Sequence, residues 1–474
     1  MGHRLGAAII MLGITAMLLT PSIQAAWGVY SQPGYDEGRS ISAANESVYV
    51  GGLSLGSFDG YRLLKYNASG DLAWEKQFPV PERRMTKDGY RDIAVGAMAN
   101  AVSVAFSNGT FVVKSFHANG TQLWENRWRR PCRVTDLAIG DNETTIVAGC
   151  TDGVTEPLFH VVAFDAQGDV AWNTSGRGRI YGIDIHEDMI FIAGERDGVG
   201  LLSSLNHTGG ITATRFFTAG PIRDMVATSN GIVLLYSETG NISIGTVPSM
   251  EEGNETRHYY GKTAEGKALL AAQGRVFLTG NVYNRSSNSR DFLLVEYLYN
   301  GTFTDVVRYN GNGTGEDVAW DAAELDGIIA TGAIYTQQII PPNQVIINRE
   351  IYTMLYTPRN LPPTASFTWQ PDNPRANDRV MFNGTAMDPD GSIVAYTWDF
   401  DDGGTASQQD ATHVYKDKGV YRVTLTVQDD DGATYTATQE VVVAEEEQTP
   451  GFSVALLCLA VFLVLALHRR LAFK

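Results

Sequence analysis

The segment VAFDAQGDVAW, residues 162–172, returns along most of the chain and constrains its fold more than any other feature. It reappears as LKYNASGDLAW at 64–74 and VKSFHANGTQLW at 113–124, and more loosely at 202–212 and 294–304. Every copy is an alternating apolar run, a polar turn carrying Asn or Asp with Gly, and a second short run that often holds Trp. Gly and Asn accept the positive φ of a tight turn, and the flanks alternate with the two-residue period of a strand, so each copy reads as a β-hairpin. A further apolar run ending in Gly precedes each hairpin: YVGG at 49–52, IVAG at 146–149, FIAG at 191–194, FLTG at 277–280 and IIATG at 328–332. The whole unit therefore holds four short strands and no helix.

Measured between these glycines, with degenerate copies at 104–106 and 233–236, the unit returns about every 45 residues, the spacing of β-propeller blades. Seven copies fit between Trp27 and Pro358. The last supplies a third strand, EIYTMLYTP, and stops before a fourth, while AWGVYSQPG at 26–34 resembles fourth-strand copies such as FTDVVRYNG at 303–311. The expectation is an all-β chain with a seven-bladed β-propeller over residues 26–358, closed by the N-terminal strand, because closure removes exposed strand edges. YNGNGTGEDVAWDAAELDGIIAT, residues 309–331, resembles the bacterial and archaeal seven-bladed propeller repeats in which YGG-type turns, a D-x-A strand and a V-T-G strand recur.

Past residue 358 the signals change. PRNLPP at 358–363 stiffens the connection and stops strand pairing, making 359–363 a linker. The runs ASFTW, RVMFNGT, IVAYTWDF, VYRVTLTV and TYTATQEVVV then fill one unit of the size of an immunoglobulin-like sandwich. DPDGSIVAYTWDFDDG at 388–403, His413-Val414-Tyr415 and GVYRVTLTVQDDDG at 419–432 resemble the polycystic kidney disease (PKD) domain family, whose hallmark is WDFGDG. Asp401 stands where Gly is usual, and Asp tolerates left-handed backbone better than most residues. Trp398 and Phe400 are expected in the core, with Asp399 and Asp402 accepting backbone hydrogen bonds in the turn. The resemblance implies a β-sandwich over 364–444 acting as a non-catalytic spacer or weakly adhesive module. Some members of the family bind calcium, which makes Asp388, Asp390, Asp429, Asp430 and Asp431 candidate metal ligands; turn chemistry explains the same residues equally well.

Both ends read as export and anchoring signals. His3 and Arg4, an apolar run over 5–19 and Ile23-Gln24-Ala25 form a signal peptide over 1–25, with an uncleaved anchor as the alternative. At the other end an acidic linker, 445–450, leads to Pro450-Gly451-Phe452, a C-terminal transmembrane helix expected over 451–468, and a basic tail, 469–474, that starts with Arg469 and Arg470 and orients inward. This order resembles the sorting tails of archaeal surface proteins, which an archaeosortase removes and replaces with a lipid anchor; a plain single-pass anchor is the alternative. Either way residues 26–450 are expected outside the cell.

Three further observations fit export. Cys132 and Cys150 flank a hairpin whose turn is Gly140-Asp141-Asn142-Glu143, so a cross-strand disulfide and a pair of buried thiols are both open. N-glycosylation sequons stand at Asn45, Asn67, Asn108, Asn119, Asn142, Asn173, Asn206, Asn241, Asn254, Asn284, Asn300, Asn312 and Asn383, although Asn is also a turn residue. The net charge of −17 repels phosphate backbones and makes nucleic acid an unexpected partner.

Candidate chemistry is sparse. First strands of propeller blades line the central channel, and several copies open that strand with Asp: Asp92 in RDIAVG, Asp136 in TDLAIG, Asp224 in RDMVAT and Asp317 in EDVAWD. Equivalent positions would form a partial ring of carboxylates able to hold a cation or a basic ligand. Capping a turn or bonding the neighbouring blade is the competing role, and Arg39 and Lys267 near this position weaken the ring. Trp74, Trp124 and Trp172 look like the Trp-docking repeats of quinoprotein propellers; those enzymes usually have eight blades and often a vicinal Cys pair, so here the indoles are read as inter-blade packing. Gly52-Leu53-Ser54-Leu55-Gly56 matches G-x-S-x-G but lies between two strands instead of on a strand-turn-helix elbow.

The expectation is a non-enzymatic, membrane-anchored surface protein without a cofactor. It would bind an envelope or neighbouring-cell glycan or protein through the propeller, with calcium left open for the PKD-like unit. An extracellular polysaccharide hydrolase or lyase, a purely structural envelope component and a quinone-dependent oxidoreductase are the alternatives.

Overall fold

A computed structural model describes residues 23–445 apart from 31–33, 57, 81–91, 141–142, 152–155, 239–240, 251–254, 311–314, 326 and 341–343. Among the described residues every regular element is a strand, and the chain divides into two units after Arg359. No helix among them is long and apolar enough to cross a membrane. Both the expected signal run and the expected C-terminal helix, with Pro450, Gly451, Phe452, Arg469 and Arg470, lie outside the described residues.

The first unit is a series of four-stranded antiparallel sheets, the first and seventh of which are joined by one parallel bridge between Tyr35 and Arg349. Sheet one comprises Gly34–Ala44, Ser47–Gly56, Gly60–Asn67 and Leu72–Pro79. Sheets two to six begin with Ile93–Met98, Arg133–Ile139, Arg179–His186, Ile222–Thr228 and Ala264–Ala272. Sheet seven takes three strands from Val318–Glu324, Ile328–Ile340 and Gln344–Tyr356, and its fourth from the other end of the chain. That strand, Ile23–Tyr30, lies antiparallel to Gln344–Tyr356, with Ile23 opposite Tyr356 and Tyr30 opposite Ile351. It begins ahead of the expected cleavage point after Ala25, and the register resumes at Gly28 after an irregularity, so a chain starting at Ala26 keeps the pairs of Gly28, Val29 and Tyr30. The first strands touch in cyclic order, that of sheet seven meeting that of sheet one, and the result is a closed, propeller-like ring.

The repeated hairpin joins the third and fourth strands of sheets one to four and six. In its turn Asp165 Oδ1 accepts from the amides of Gln167 and Asp169 at 3.0 and 2.9 Å, and Asn67 and Asn206 play the same part for Asp71 and Gly210. Gly168, at φ +86°, is required twice over. A side chain there would be strained by the left-handed backbone, and its Cβ would stand 2.6 Å from the ring of Trp124 on the preceding sheet. Trp172 sits over Gly209 in the same way, and Trp74 Nε1 donates to the Ala118 carbonyl at 3.1 Å. The indoles therefore seal the seams between the first four sheets.

The second unit packs a three-stranded sheet, Thr364–Gln370, Arg379–Met387 and Asp410–Val414, with a four-stranded sheet built on Ile393–Asp399, Gly419–Asp429 and Thr434–Val443. Trp398 and Phe400 are buried at its centre, and Trp398 Nε1 donates to the Gln408 carbonyl at 2.9 Å. Asp401 adopts φ +65°, the left-handed backbone that Gly would otherwise supply. Asp399 accepts from the Asp401 amide and Asp402 from the Gly404 amide, both at 2.9 Å. Phe400 stacks on His413 at 4.3 Å, and His413 Nε2 lies 2.8 Å from Asp402 Oδ2.

If the indole seal matters, Trp124→Ala lowers unfolding stability by roughly 2 kcal/mol, since a half-buried ring is lost and the space cannot fully collapse. The neighbouring Leu123→Ala, 42 % exposed, changes it by under about 0.5 kcal/mol. Chemical denaturation of the two variants beside the parent checks this difference.

Candidate functional site: the central channel and its bulged rim

The first strand of each sheet is an edge strand, so the amides on its outer side need acceptors from elsewhere. Six of these strands carry a β-bulge at one shared place, immediately before Ser40, Asp136, Gly182, Asp224, Ala268 and Asp321. The side chain after the bulge reaches the following sheet. Ile183 N donates to Asp136 Oδ2 at 3.0 Å, Leu269 N to Asp224 Oδ2 at 2.8 Å, Ile41 N to Asp321 Oδ2 at 3.1 Å and Val95 N to Ser40 Oγ at 3.1 Å. Two residues further along, Ala97 N donates to Ser42 Oγ at 3.0 Å and Ala227 N to Asp184 Oδ2 at 2.8 Å.

These strands enclose a cavity of about 470 Å³, lined by Asp136, Asp184, Asp224, Asp321 and Glu324 among small and aliphatic side chains. Burial pushes the Asp184 carboxyl up to about 6; the amides of Ala227 and Ile185 oppose that rise and the Asp136 charge adds to it. Among the described residues no group of three or more His, Cys, Asp or Glu side chains is placed to hold a metal ion.

The expected ring of Asp92, Asp136, Asp224 and Asp317 does not form. Asp136 and Asp224 line the channel, but Asp92 and Asp317 do not. Asp92 accepts from Arg133 Nε and Nη2 of the next sheet at 2.8 and 2.7 Å. Asp317 is buried, with its amide donating to the Arg290 carbonyl at 2.8 Å. A repeat aligned on its first Asp skips the bulge in sheet seven: Asp317 lies four positions before the channel residue Asp321, with the bulge between them, whereas Asp92 stands ahead of the unbulged strand Ile93–Met98. Asp184, Asp321 and Glu324 were the carboxylates missed, although Asp321 ends the same EDVAWD string.

The bulged residues themselves are Arg39, Thr135, Tyr181, Arg223, Lys267 and Trp320. Bulges re-aim side chains, and here they gather cations and aromatics at one end of the inner strands. The Arg39 guanidinium lies 5.4 Å from the Trp320 ring centre, Lys267 Nζ 4.5 Å from the same ring, and Arg223 4.8 Å from that of Tyr181. Trp320 Nε1 donates to Glu37, which also meets Tyr35 Oη at 2.9 Å, Arg349 at 3.1 Å and Arg39 at 3.5 Å. Burial works against the Glu37 charge, yet Arg39, Arg349 and these hydrogen bonds together hold its carboxyl below the usual range. Lys267 pairs with Glu265 at 2.6 Å, whereas no carboxylate pairs with Arg223 among the described residues.

The other expected residues resolve individually. Ser54 of the G-x-S-x-G match is buried mid-strand in Ser47–Gly56, away from any elbow. Cys132 and Cys150 are buried but not bridged, because the register sets Cys150 opposite Arg133 and leaves Cys132 one position beyond it. In the second unit Asp388 is pushed up to about 6 by burial and by Asp390, with Asp429 adding to the rise. Asp390 accepts from the Leu361 amide at 3.1 Å, and Asp429 from Asn360 and the Ala433 amide at 3.1 and 2.7 Å. Asp430 accepts from the Ser392 amide at 2.8 Å, and Asp431 is exposed. Of these contacts only that between Ala433 and Asp429 is turn chemistry; the others tie these loops to residues distant in sequence. Of the sequon residues, Asn45, Asn67, Asn119, Asn173, Asn241, Asn300 and Asn383 are exposed and Asn108, Asn206 and Asn284 half-buried; Asn142, Asn254 and Asn312 lie outside the described residues.

Comparison with known proteins identifies residues 360–443 as a PKD domain. Over that region the chain is 49 % identical to a microbial collagenase of Vibrio alginolyticus across 71 residues, covering 15 % of this chain and 9 % of that one. It is 37 % identical to the pre-pro-metalloprotease PrtV of Vibrio cholerae across 94 residues, 20 % of this chain and 10 % of that one. The chain thus spans a tenth or less of these relatives, and the match carries their PKD region alone. Among solved structures, the PKD1 domain of Vibrio anguillarum Epp is similar at 35 % identity over 19 % of this chain and all of that one, with a TM-score of 0.17. BamB from Moraxella catarrhalis aligns with 67 % of this chain and 84 % of its own at 10 % identity and a TM-score of 0.39.

The Asp184 environment yields a pH test with a definite sign. A folded-state value near 6 against 3.8 in the unfolded chain means that the folded state binds the extra proton, so this group's contribution falls as pH rises from about 4 to about 6. Asp184→Asn keeps an oxygen for the Ala227 amide and cannot ionise. Its Tm is expected to match the parent near pH 4 and to exceed it increasingly up to pH 7; a constant difference across a thermal-shift pH series contradicts the assignment.

Proposed function

We propose that this chain is a non-enzymatic, anchored surface protein in which the seven-sheet ring is the recognition head and the PKD domain a spacer or weakly adhesive module. The intended ligand is a glycan or protein of the cell envelope or of a neighbouring cell. One observation carries the reading: successive sheets repeat the same bulge and use it to collect aromatic and cationic side chains, which a ring serving only as architecture does not need. A PKD domain in secreted collagenases and metalloproteases fits an extracellular setting, and the terminal apolar segments supply the export and anchoring parts of the proposal.

Arg223 and Tyr181 are the residues to test, because both are part-exposed and Arg223 is not committed to a carboxylate. Screening the full chain against immobilised envelope polysaccharides and surface proteins is expected to give saturable binding that weakens about tenfold in Arg223→Met with an unchanged Tm. Ligand turnover overturns the non-enzymatic reading, and the absence of any binding leaves the ring as architecture.

A further inference from the structure

The seam between sheets five and six, like that between sheets four and five, lacks the indole that closes the first three. Trp74, Trp124 and Trp172 register opposite Lys65, Ser115 and Ala163, near the end of each third strand. The corresponding residue of sheet five, opposite Thr246, is Thr256. The smaller His258 ring packs on Gly301 where the indoles pack on Gly168 and Gly209, and beside it the seam holds a pocket of about 450 Å³. Residues 257–260 of the fourth strand of sheet five form one wall, and Tyr297, Gly301 and Phe303 of sheet six form the other. Tyr259 is 73 % exposed and Phe303 50 %, and the rings of Tyr260 and Tyr297 flank Phe303 at 6.4 and 6.1 Å between centroids.

We propose that this pocket binds a sugar unit of a neutral carbohydrate, at a site separate from the channel rim. The C–H face of a pyranose packs on exposed aromatic rings, and its hydroxyls need donors and acceptors at the edge. Both are present. Tyr260 Oη, which accepts from Arg308 Nη2 at 3.2 Å, keeps its own proton to donate, and the Tyr259 hydroxyl stands on an exposed side chain. The lining contains no carboxylate for a cationic ligand. An anion meets a chain of net charge −17, and the nearest guanidinium, Arg257, is already paired with Glu255 at 2.9 Å. A neutral polyhydroxylated ligand is what remains, and the volume accommodates a mono- or disaccharide.

The test is affinity electrophoresis of the full chain, made without N-glycosylation and kept in a polyoxyethylene detergent, through gels containing mannan, xylan, β-1,3-glucan or α-glucan. At least one polysaccharide is expected to retard the protein. Tyr259→Ala/Phe303→Ala should weaken that retardation about tenfold, since both side chains are surface-exposed and their removal leaves the fold intact. Leu123→Ala, at an exposed position on sheet two, should leave it unchanged. No retardation by any of the four, or retardation that survives the double substitution, overturns the proposal; the second result assigns binding to another part of the chain. The sequon at Asn300 borders the pocket through Gly301. A glycosylated preparation that binds only after Asn300→Gln gives the pocket to the chain's own glycan and likewise overturns the role for an external one.

Discussion

A ring of separate sheets has to satisfy the outward amides of its innermost strands, and that requirement organises the first unit. Backbone pairing stops at each inner edge, so the acceptor must be a side chain of the neighbouring sheet. Asp136, Asp224 and Asp321 do this with one carboxylate oxygen each, and Ser40 does it with a hydroxyl. Gly182 has no side chain to offer, and Asp184, two residues on, bonds the Ala227 amide of the next sheet. The channel carboxylates are therefore bridges between sheets first, and their line around the cavity is a result of that duty.

The seams between sheets are not equivalent, and their differences locate the surfaces available for recognition. Indoles close those from sheet one to sheet four. Tyr352 and Tyr356 close the one between sheets six and seven, where Tyr352 stacks on Tyr309 at 4.7 Å and Tyr356 Oη donates to Glu296 at 2.6 Å. Between sheets five and six a threonine replaces the indole and aromatic rings stay exposed. Large exposed aromatics in a strongly charged surface call for a partner that covers them.

The hairpins were legible because turn chemistry is local: Asp165 or Asn67 with Gly two or three residues later sets the turn whatever surrounds it, and the indole nearby marks the repeat. The PKD unit was legible for the same reason, its WDFDDG turn being held by Asp399 and Asp402 within a few residues. The channel was not. A bulge inserts one residue without a compositional mark and flips the faces of the residues beyond it, so Asp317, ahead of its strand's bulge, looked equivalent to Asp136, which follows one. Asp92 precedes a strand without a bulge and pairs with Arg133. Register likewise refines the cysteines, which the hairpin turn sets nearly opposite one another and the strands set one position apart.

The closing seam raises the question of how the two ends of a long chain find one register. Glu37 of sheet one is almost wholly buried, and a buried carboxylate without partners is strongly unfavourable. Its donors come from both ends: Tyr35 and Arg39 lie on its own strand, while Trp320 and Arg349 arrive from sheet seven across nearly the whole sequence. A closure displaced by one residue turns Trp320 and Arg349 to other faces and leaves the carboxylate with its local partners alone. Apolar packing tolerates small slips of that kind; a desolvated ion with four directional donors does not. The same side chains that fix the closure, Arg39 and Trp320, are bulged residues of the inner strands, so correct closure and correct placement of these two bulges are one event.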